Sequence, residues 1–462
     1  MTVLDHRHDR PRQEPPPETR NKAAAPVATR DGGDCIHSKP DASCQQYTTL
    51  DDPCKDSKRP PRPGYLQVGR LRRQMARLTG RKSLYQCGCR RSFGSANVVV
   101  AVADDHATAK GIMLCRNSHL CPSCARWLAT QRADVLRPQL EALAGERVLV
   151  TLTLRRTLSA GLKEQNAALD GAWRATTSGA AHRRWLSQAG GLSYVRGYET
   201  GHSPRTGWGS HLHGLFVLHE PRWPTIEEIG LDINLERRNS GRRQLKGTDG
   251  ALELVELSLR RLAAIQDENA TPLEYLMRRF TQRFRQEVGR RGFVATARGQ
   301  DWQVDQGRSL EYVSKGATAW DGLAEAIGGA LKTVSKMDTV WQLAKRAEAG
   351  DIRARALVIE YAEATRGRRV LTVSRDLLLR PDEELEPGAT EATGLIALTD
   401  AGLFTLRQQD DGLGLARLLD MLPSIWRDRE AVVLALGEGG FGLRDVEWSW
   451  YEPSQVCGEA EP

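Results

Sequence analysis

The chain has 462 residues, 40% of them hydrophobic and 27% charged, with a formal net charge of +8. At about 100–200 residues per domain this length predicts several structural units, and the near-average composition excludes a fibrous or wholly disordered chain. No apolar run reaches the ~18–20 residues of a bilayer span and the first twenty residues lack the apolar stretch of a secretion signal, so a cytoplasmic protein with no membrane partner is expected.

Residues 1–64, net +1, hold 10 of the 21 prolines and almost no large apolar side chains, which predicts a disordered tail. Its cysteines, Cys35, Cys44 and Cys54, lack Cys-x-x-Cys spacing. Residues 65–145, net +9, form an Arg-rich module: a helical segment LQVGRLRRQMARLTGRK, a cysteine cluster over 87–124, and a helix from Arg126 to Leu143 ended by Gly145. Residues 146–330, net +5, begin with the β-branched run VLVTLTL at 148–154, a buried strand. A helix is predicted over 162–187, then strands LSYVRGYET and HLHGLFVL, a basic loop at 236–247, two amphipathic helices over 252–288, a hairpin in FVATARGQDWQVDQG, and a helix opening at 309–315. Strands and helices in this order predict an α+β domain, a central antiparallel sheet with flanking helices. Residues 331–380 read as a helical extension with a short extended piece RRVLTVS, 381–394 as a Pro/Glu linker and 395–462 as a small acidic C-terminal unit; residues 331–462 carry net −7. The positive charge is concentrated in the middle, as expected where particular units contact a polyanion such as nucleic acid. Arg outnumbers Lys 54 to 12; the guanidinium fork suits phosphates, although base composition of the genome produces the same ratio.

His211-Leu212-His213 leads into the strand GLFVL. Alternate residues of a strand share a face, so the two imidazoles project together, as a structural pair or as ligands of one metal ion. The same spacing in His6-Arg7-His8 falls in the tail and has no strand context. Glu199 ends the preceding strand; if the two strands pair through GHSPRTGWGS, its carboxylate reaches the histidines. Two imidazoles and one carboxylate suit Mn²⁺ or Mg²⁺, and also Zn²⁺ or Co²⁺, placed to polarise a phosphate oxygen. In LEYVSKG, Tyr312 and Lys315 share one helix face. A phenol with a pKa of ~10 is a weak nucleophile that needs an activated electrophile, and Lys315 brings one positive charge; core packing and a solvated face are the ordinary alternatives. The second constellation is Cys87-x-Cys89 followed by Cys115-x5-Cys121-Pro-Ser-Cys124, with His119 inside the interval. Cys-Pro-x-Cys is a knuckle suited to structural Zn²⁺, and the spacing leaves Cys87, Cys89 and His119 as candidates for the fourth ligand. Arg72, Arg73, Arg77, Arg81, Arg90 and Arg91 surround it, and Arg237, Arg238, Arg242 and Arg243 fill the basic loop; both groups are candidates for DNA phosphates.

A TLTL strand, an HLH strand and a Tyr-x-x-Lys helix, in that order, resemble the three motifs of plasmid rolling-circle replication initiators within the HUH endonuclease superfamily. YETGHSPRTGWGSHLHGLFVL, EYVSKGATAW and EYAEATRGRRVLTVSRDLLL are similar to stretches of the replication proteins of actinobacterial plasmids, and with the cysteine block they cover roughly residues 85–380. The resemblance implies that His211, His213 and Glu199 hold a divalent metal. It further implies that Tyr312 attacks the scissile phosphodiester, keeping the 5′ phosphate and freeing a 3′ hydroxyl, while Lys315 positions the phosphate. A CG dipeptide opens the family's cysteine cluster, which selects Cys87 with Cys115, Cys121 and Cys124 for the structural zinc. Origin DNA, duplex and single-stranded hairpin, is the implied partner, with a host helicase and DNA polymerase. The carboxylate some members carry one turn before the tyrosine is replaced by Arg308; Glu311 points about 100° away and Asp305 is the remaining candidate. No second phenol shares the Tyr312 face, so termination needs water or Tyr312 of a second subunit in a dimer. A single-tyrosine transposase or relaxase would use the same chemistry; a non-enzymatic zinc-dependent DNA-binding regulator is the reading from a different class.

Overall fold

The computed structural model describes residues 64–95, 97–103, 106–304, 337–378, 394–437 and 440–443, with the backbone alone for 446–450. The predicted tail and linker, the helix bearing Tyr312 and Lys315, and Asp305, Arg308 and Glu311 lie outside the described residues.

Helices α1 (Tyr65–Thr79) and α2 (Lys82–Gln86) are followed by strands β1 (Val98–Val102) and β2 (Ala107–Lys110), a hairpin absent from the predicted elements. Helix α3 (Pro122–Ala142) starts at a Cys121 N-cap with Pro122 in its first turn, where a missing N–H leaves no helical bond unmade. Strand β3 (Glu146–Thr153) alternates, burying Val148, Val150 and Leu152 on one face. The predicted helix over 162–187 is two, α4 (Leu162–Thr176) and α5 (Gly179–Gln188), because Gly179 at φ +78 breaks the helical path. Strands β4 (Leu192–Ser203) and β5 (Gly207–Leu218) follow. Helix α6 (Ile226–Asn239) opens with a Thr225–Glu228 capping box and runs into the predicted basic loop, so Arg237 and Arg238 occupy its last turn. Helices α7 (Gly247–Glu268) and α8 (Pro272–Gly289) match the predicted pair.

The expected hairpin after α8 does not form. Its second half is strand β6 (Gln300–Val304), which pairs with β3 rather than with its own neighbour; with Val148, Val150 and Leu152 already buried, β3 needs an ordered partner on its free edge. Helices α9 (Val340–Glu348) and α10 (Ile352–Ala364) and strand β7 (Leu371–Val373) follow, then β8 (Gly394–Leu398), α11 (Asp400–Gln408), α12 (Gly414–Ile425), α13 (Arg429–Leu436) and β9 (Val446–Trp450).

The described strands make two antiparallel sheets. The larger has the order β6-β3-β5-β4-β7. One face packs on α4, α5 and α8 through Trp173, Trp185, Phe216, Phe280 and Phe284, with Phe216 and Phe280 edge to face at 5.3 Å. On the other face Leu136 and Leu140 of α3 cover Val195, Val217 and Leu371 at one end, leaving the opposite end of that face for the histidines. The smaller sheet has the order β2-β1-β8-β9, and α11, α12 and α13 close its core through Leu406, Leu418, Leu422 and Trp426.

This pairing joins segments that composition separates. β1 lies in the cysteine block and β8 in the acidic C-terminal unit, yet they share a ladder from Val98–Leu398 to Val102–Gly394. The extension supplies β7 to the large sheet, while α9 and α10 pack with α1 around the cysteines. Among the described residues the divisions drawn at 145, 330 and 394 therefore do not separate bodies: those after residue 63 fall in one unit of contacts. VVVAV is apolar on both faces and needs a partner at each edge, and β8 supplies the second from almost three hundred residues along the chain.

Candidate metal-binding sites

β4 and β5 form one long hairpin that turns through Pro204, Arg205 and Thr206, in a register that sets Glu199 opposite His211. Direct partners on an antiparallel ladder share a face, and His213 is two residues further, so the three side chains emerge together. β5 is also paired with β3, which places Thr153 opposite His211 and Thr151 opposite His213. Glu199 Oε2 lies 3.3 Å from His211 Nε2 and 3.0 Å from His213 Nε2. Glu199 and His213 are buried, and the His211 side chain is 13% exposed, so the cluster opens on that side. Burial by itself would raise the Glu199 carboxyl; hydrogen bonds from His211 and His213 and their charge outweigh it and hold the group at about 2. The sequence reading missed Thr151, whose Oγ1 is 3.2 Å from His213 Nδ1. In this structure Nε2 donates to Glu199; with a cation at Nε2, the Thr151 hydroxyl accepting from Nδ1–H would hold the ring in the tautomer a metal ligand requires, a signal the TLTL strand carried.

The three ligand atoms lie within 4.8 Å of one another, so the residues fit a shared cation. Oxygen and imidazole donors without sulfur match the harder divalent ions.

The four cysteines are brought together from three places. Cys87 follows α2, Cys115 lies on the return from β2, and Cys121 and Cys124 sit at the N-cap and first turn of α3. Gly88, at φ +67, turns the chain sharply after Cys87, and a Cβ there would stand 2.7 Å from Arg72 Nη1. The Sγ atoms are 3.5 Å apart for Cys87–Cys124 and 3.6 Å for both Cys87–Cys121 and Cys115–Cys124. Tetrahedral zinc with Zn–S bonds of about 2.3 Å places sulfurs roughly 3.8 Å apart, so the donor set fits a closed four-thiolate site. Without a cation the thiols share charge unequally. Hydrogen bonds from Cys115, Cys121 and Cys124 push Cys87 far down, and hydrogen bonds to Cys115, Cys121 and Cys87 push Cys124 far up. A dication is what lets all four ionise together.

The structure resolves the alternatives for the fourth position by placing both elsewhere. Cys89 Sγ faces Gly412 O at 3.3 Å and receives Arg72 Nη2 at 3.3 Å. His119 is buried between Tyr361 Oη, 3.3 Å from Nδ1, and Arg368 O, 3.1 Å from Nε2. A carbonyl only accepts, so Nε2 carries the proton and Nδ1 accepts from the phenol. Burial pushes His119 down to about 4 against the hydrogen bond to Arg368, with the Arg368 and Arg132 charges adding to the decrease.

Compared with family models, with curated proteins and with solved structures, the chain matches none.

The basic residues divide. Arg72 is 5% exposed and donates to Cys87 O and Cys89 Sγ, which corrects its assignment to DNA: its guanidinium is spent inside the cysteine block. Arg77 is paired with Glu348 at 3.3 Å and Asp411 at 3.8 Å. Arg73 lies over the Tyr85 ring, 5.6 Å from its centroid. Arg242 and Arg243 are exposed in the turn after α6, far along the chain from the cysteine block. No described helix is long and apolar enough to cross a membrane.

Proposed function

We propose that this chain is a plasmid rolling-circle replication initiator, a metal-dependent enzyme that nicks and rejoins one strand of its origin. The observation that carries the reading is the Glu199, His211 and His213 cluster, set on paired central strands with its ligand atoms within 4.8 Å. A divalent cation, Mn²⁺ or Mg²⁺, held there supplies a Lewis acid for a phosphate oxygen. Thr151 fixes the His213 ring, and the buried Glu199 stays ionised to orient both imidazoles. In this reading the Tyr312 phenolic oxygen attacks phosphorus, the 3′ oxygen leaves as a hydroxyl, and the 5′ phosphate remains on the tyrosine; Lys315 neutralises the phosphate. The new bond conserves the diester's energy, so the strand can be resealed without a nucleotide cofactor. The four-cysteine cluster holds structural Zn²⁺ in this reading.

The test is cleavage of a single-stranded origin oligonucleotide, labelled 3′ of the nick, with Mn²⁺. His211→Ala and His213→Ala are expected to abolish cleavage while leaving DNA affinity within a few fold, because phosphate contacts supply the affinity. Tyr312→Phe should remove the protein-linked band. Wild-type cleavage in excess EDTA overturns the metal role, and binding of origin DNA without any cleavage overturns the enzyme in favour of a regulator.

A further inference from the structure

Two surface cavities among the described residues share a wall and form one groove between the cysteine block and α11. One half, of about 460 Å³, is lined by Arg73, Lys82, Tyr85, Arg90 and Arg407 among others; the second, of about 630 Å³, is again bounded by Arg90 and Arg407 and adds Phe93 and Phe404. Five cations face two carboxylates along its length, and both carboxylates are engaged: Asp400 with Arg91 at 2.9 Å and Asp411 with Arg77 at 3.8 Å. Lys82, Arg90 and Arg407 have no carboxylate partner among the described residues. The floor is built for this. Gly412, at φ +81, lets the Arg73 guanidinium lie against the loop before α12, since a Cβ there would fall 1.7 Å from Nη2.

The aromatics are placed with equal care. Phe93 is fully exposed, at the tip of a turn closed by Ser95 N–H to Ser92 O at 3.3 Å, with Gly94 at φ +87 in the third position where a type II turn requires it. The turn is anchored by Ser92 N–H to Gly111 O at 2.7 Å. Phe404 is 56% exposed on the facing helix. A single exposed phenylalanine needs no explanation; two lining one groove beside three unpaired cations do. A duplex hides its base faces, whereas a single strand offers phosphates to cations and bases to aromatic rings.

We propose that this groove binds single-stranded DNA, with phosphates on Lys82, Arg90 and Arg407 and bases stacked on Phe93 and Phe404. The choice of DNA over RNA rests on the nicking activity proposed above; the groove itself is built from residues outside the metal cluster.

The experiment is fluorescence anisotropy of the full chain with labelled (dT)20, (rU)20 and a 20-base-pair duplex across a salt series, with zinc content confirming that each variant is folded. Arg90→Ala with Arg407→Ala should weaken (dT)20 binding about tenfold and make the salt dependence shallower by about 1.4 in log–log slope, two phosphates at ~0.7 each. Phe93→Ala with Phe404→Ala should weaken (dT)20 about tenfold and leave the duplex unchanged. Binding is measured without added Mn²⁺, so a chain that never nicks still tests the groove. Groove variants that bind (dT)20 within twofold of wild type overturn the proposal; equal losses on duplex and single strand overturn the stacking, and tighter binding of (rU)20 overturns the assignment to DNA.

Discussion

At Thr151 the functional weight falls on a hydroxyl that binds no ion itself. Thr151→Val keeps the shape of the side chain and removes the acceptor for His213 Nδ1, freeing the ring to turn or change tautomer. Mn²⁺ affinity should fall about 10–100-fold in a calorimetric titration, with thermal stability changed by about 1 kcal/mol or less. Glu199→Gln should lose more, since it removes a ligand and its charge. His119 carries a different burden, as a neutral buried imidazole that ties the cysteine block to Tyr361 and Arg368. Its folded pKa of about 4 lies below the ordinary 6.5, so the unfolded chain takes up the proton first. The stability contributed by neutral His119 is complete above pH 6.5 and is lost as pH falls towards 4, with a limiting slope of about 1.4 kcal/mol per pH unit. Denaturant titrations between pH 7 and 5.5 should show stability falling with a slope that steepens towards this limit in the wild type, and a flatter line in His119→Gln, zinc content being followed in both.

Helix α3 connects the two candidate metal sites as an element. Its first turn carries Cys121 and Cys124, and Leu136 and Leu140 near its far end cover Val195 and Val217 of the strands that bear the cluster. Thiolates at a helix N-terminus are favoured by its dipole, and a bound zinc would hold that end in place. Cys121→Ser should therefore release one zinc per chain and lower the unfolding temperature of the large sheet along with that of the cysteine block, measured by metal analysis and calorimetry. A wild-type protein that holds no zinc tightly would refute the site.

Across the whole molecule, the acidic C-terminal segment behaves as a structural partner of the basic block. Asp420 receives Tyr65 N–H at 2.6 Å and Leu66 N–H at 2.7 Å, satisfying the first turn of α1, and β8 completes the β1 ladder. Ending the chain at residue 393 would leave β1 with an open apolar edge and remove most of the smaller core. The truncated protein is expected to aggregate or to unfold at least several degrees lower, by size-exclusion chromatography and calorimetry; a monomer as stable as the full chain would contradict this.

Local pattern determined a good deal. The alternation in VLVTLTL and HLHGLFVL and the Cys-Pro-x-Cys knuckle are short-range properties, so the strands and the shared face of His211 with His213 were legible in the sequence; the fold extends both strands into GHSPRTGWGS, starts the helix at Pro122 rather than Arg126, and supplies the pairing on which the Glu199 contact depended. Tertiary structure decided what depends on distant partners. Whether Cys87, Cys89 or His119 joins the other three thiols is settled by where Gly412, Tyr361 and Arg368 stand. Arg72 looked like its neighbours on an arginine-rich helix until burial against Cys87 and Cys89 separated it from them. β1 with β8 and β3 with β6 pair across long stretches of chain, and the groove of cations and phenylalanines exists only because α11 folds back over the cysteine block. Periodicity reports which face a residue occupies; only the packed chain determines what that face meets.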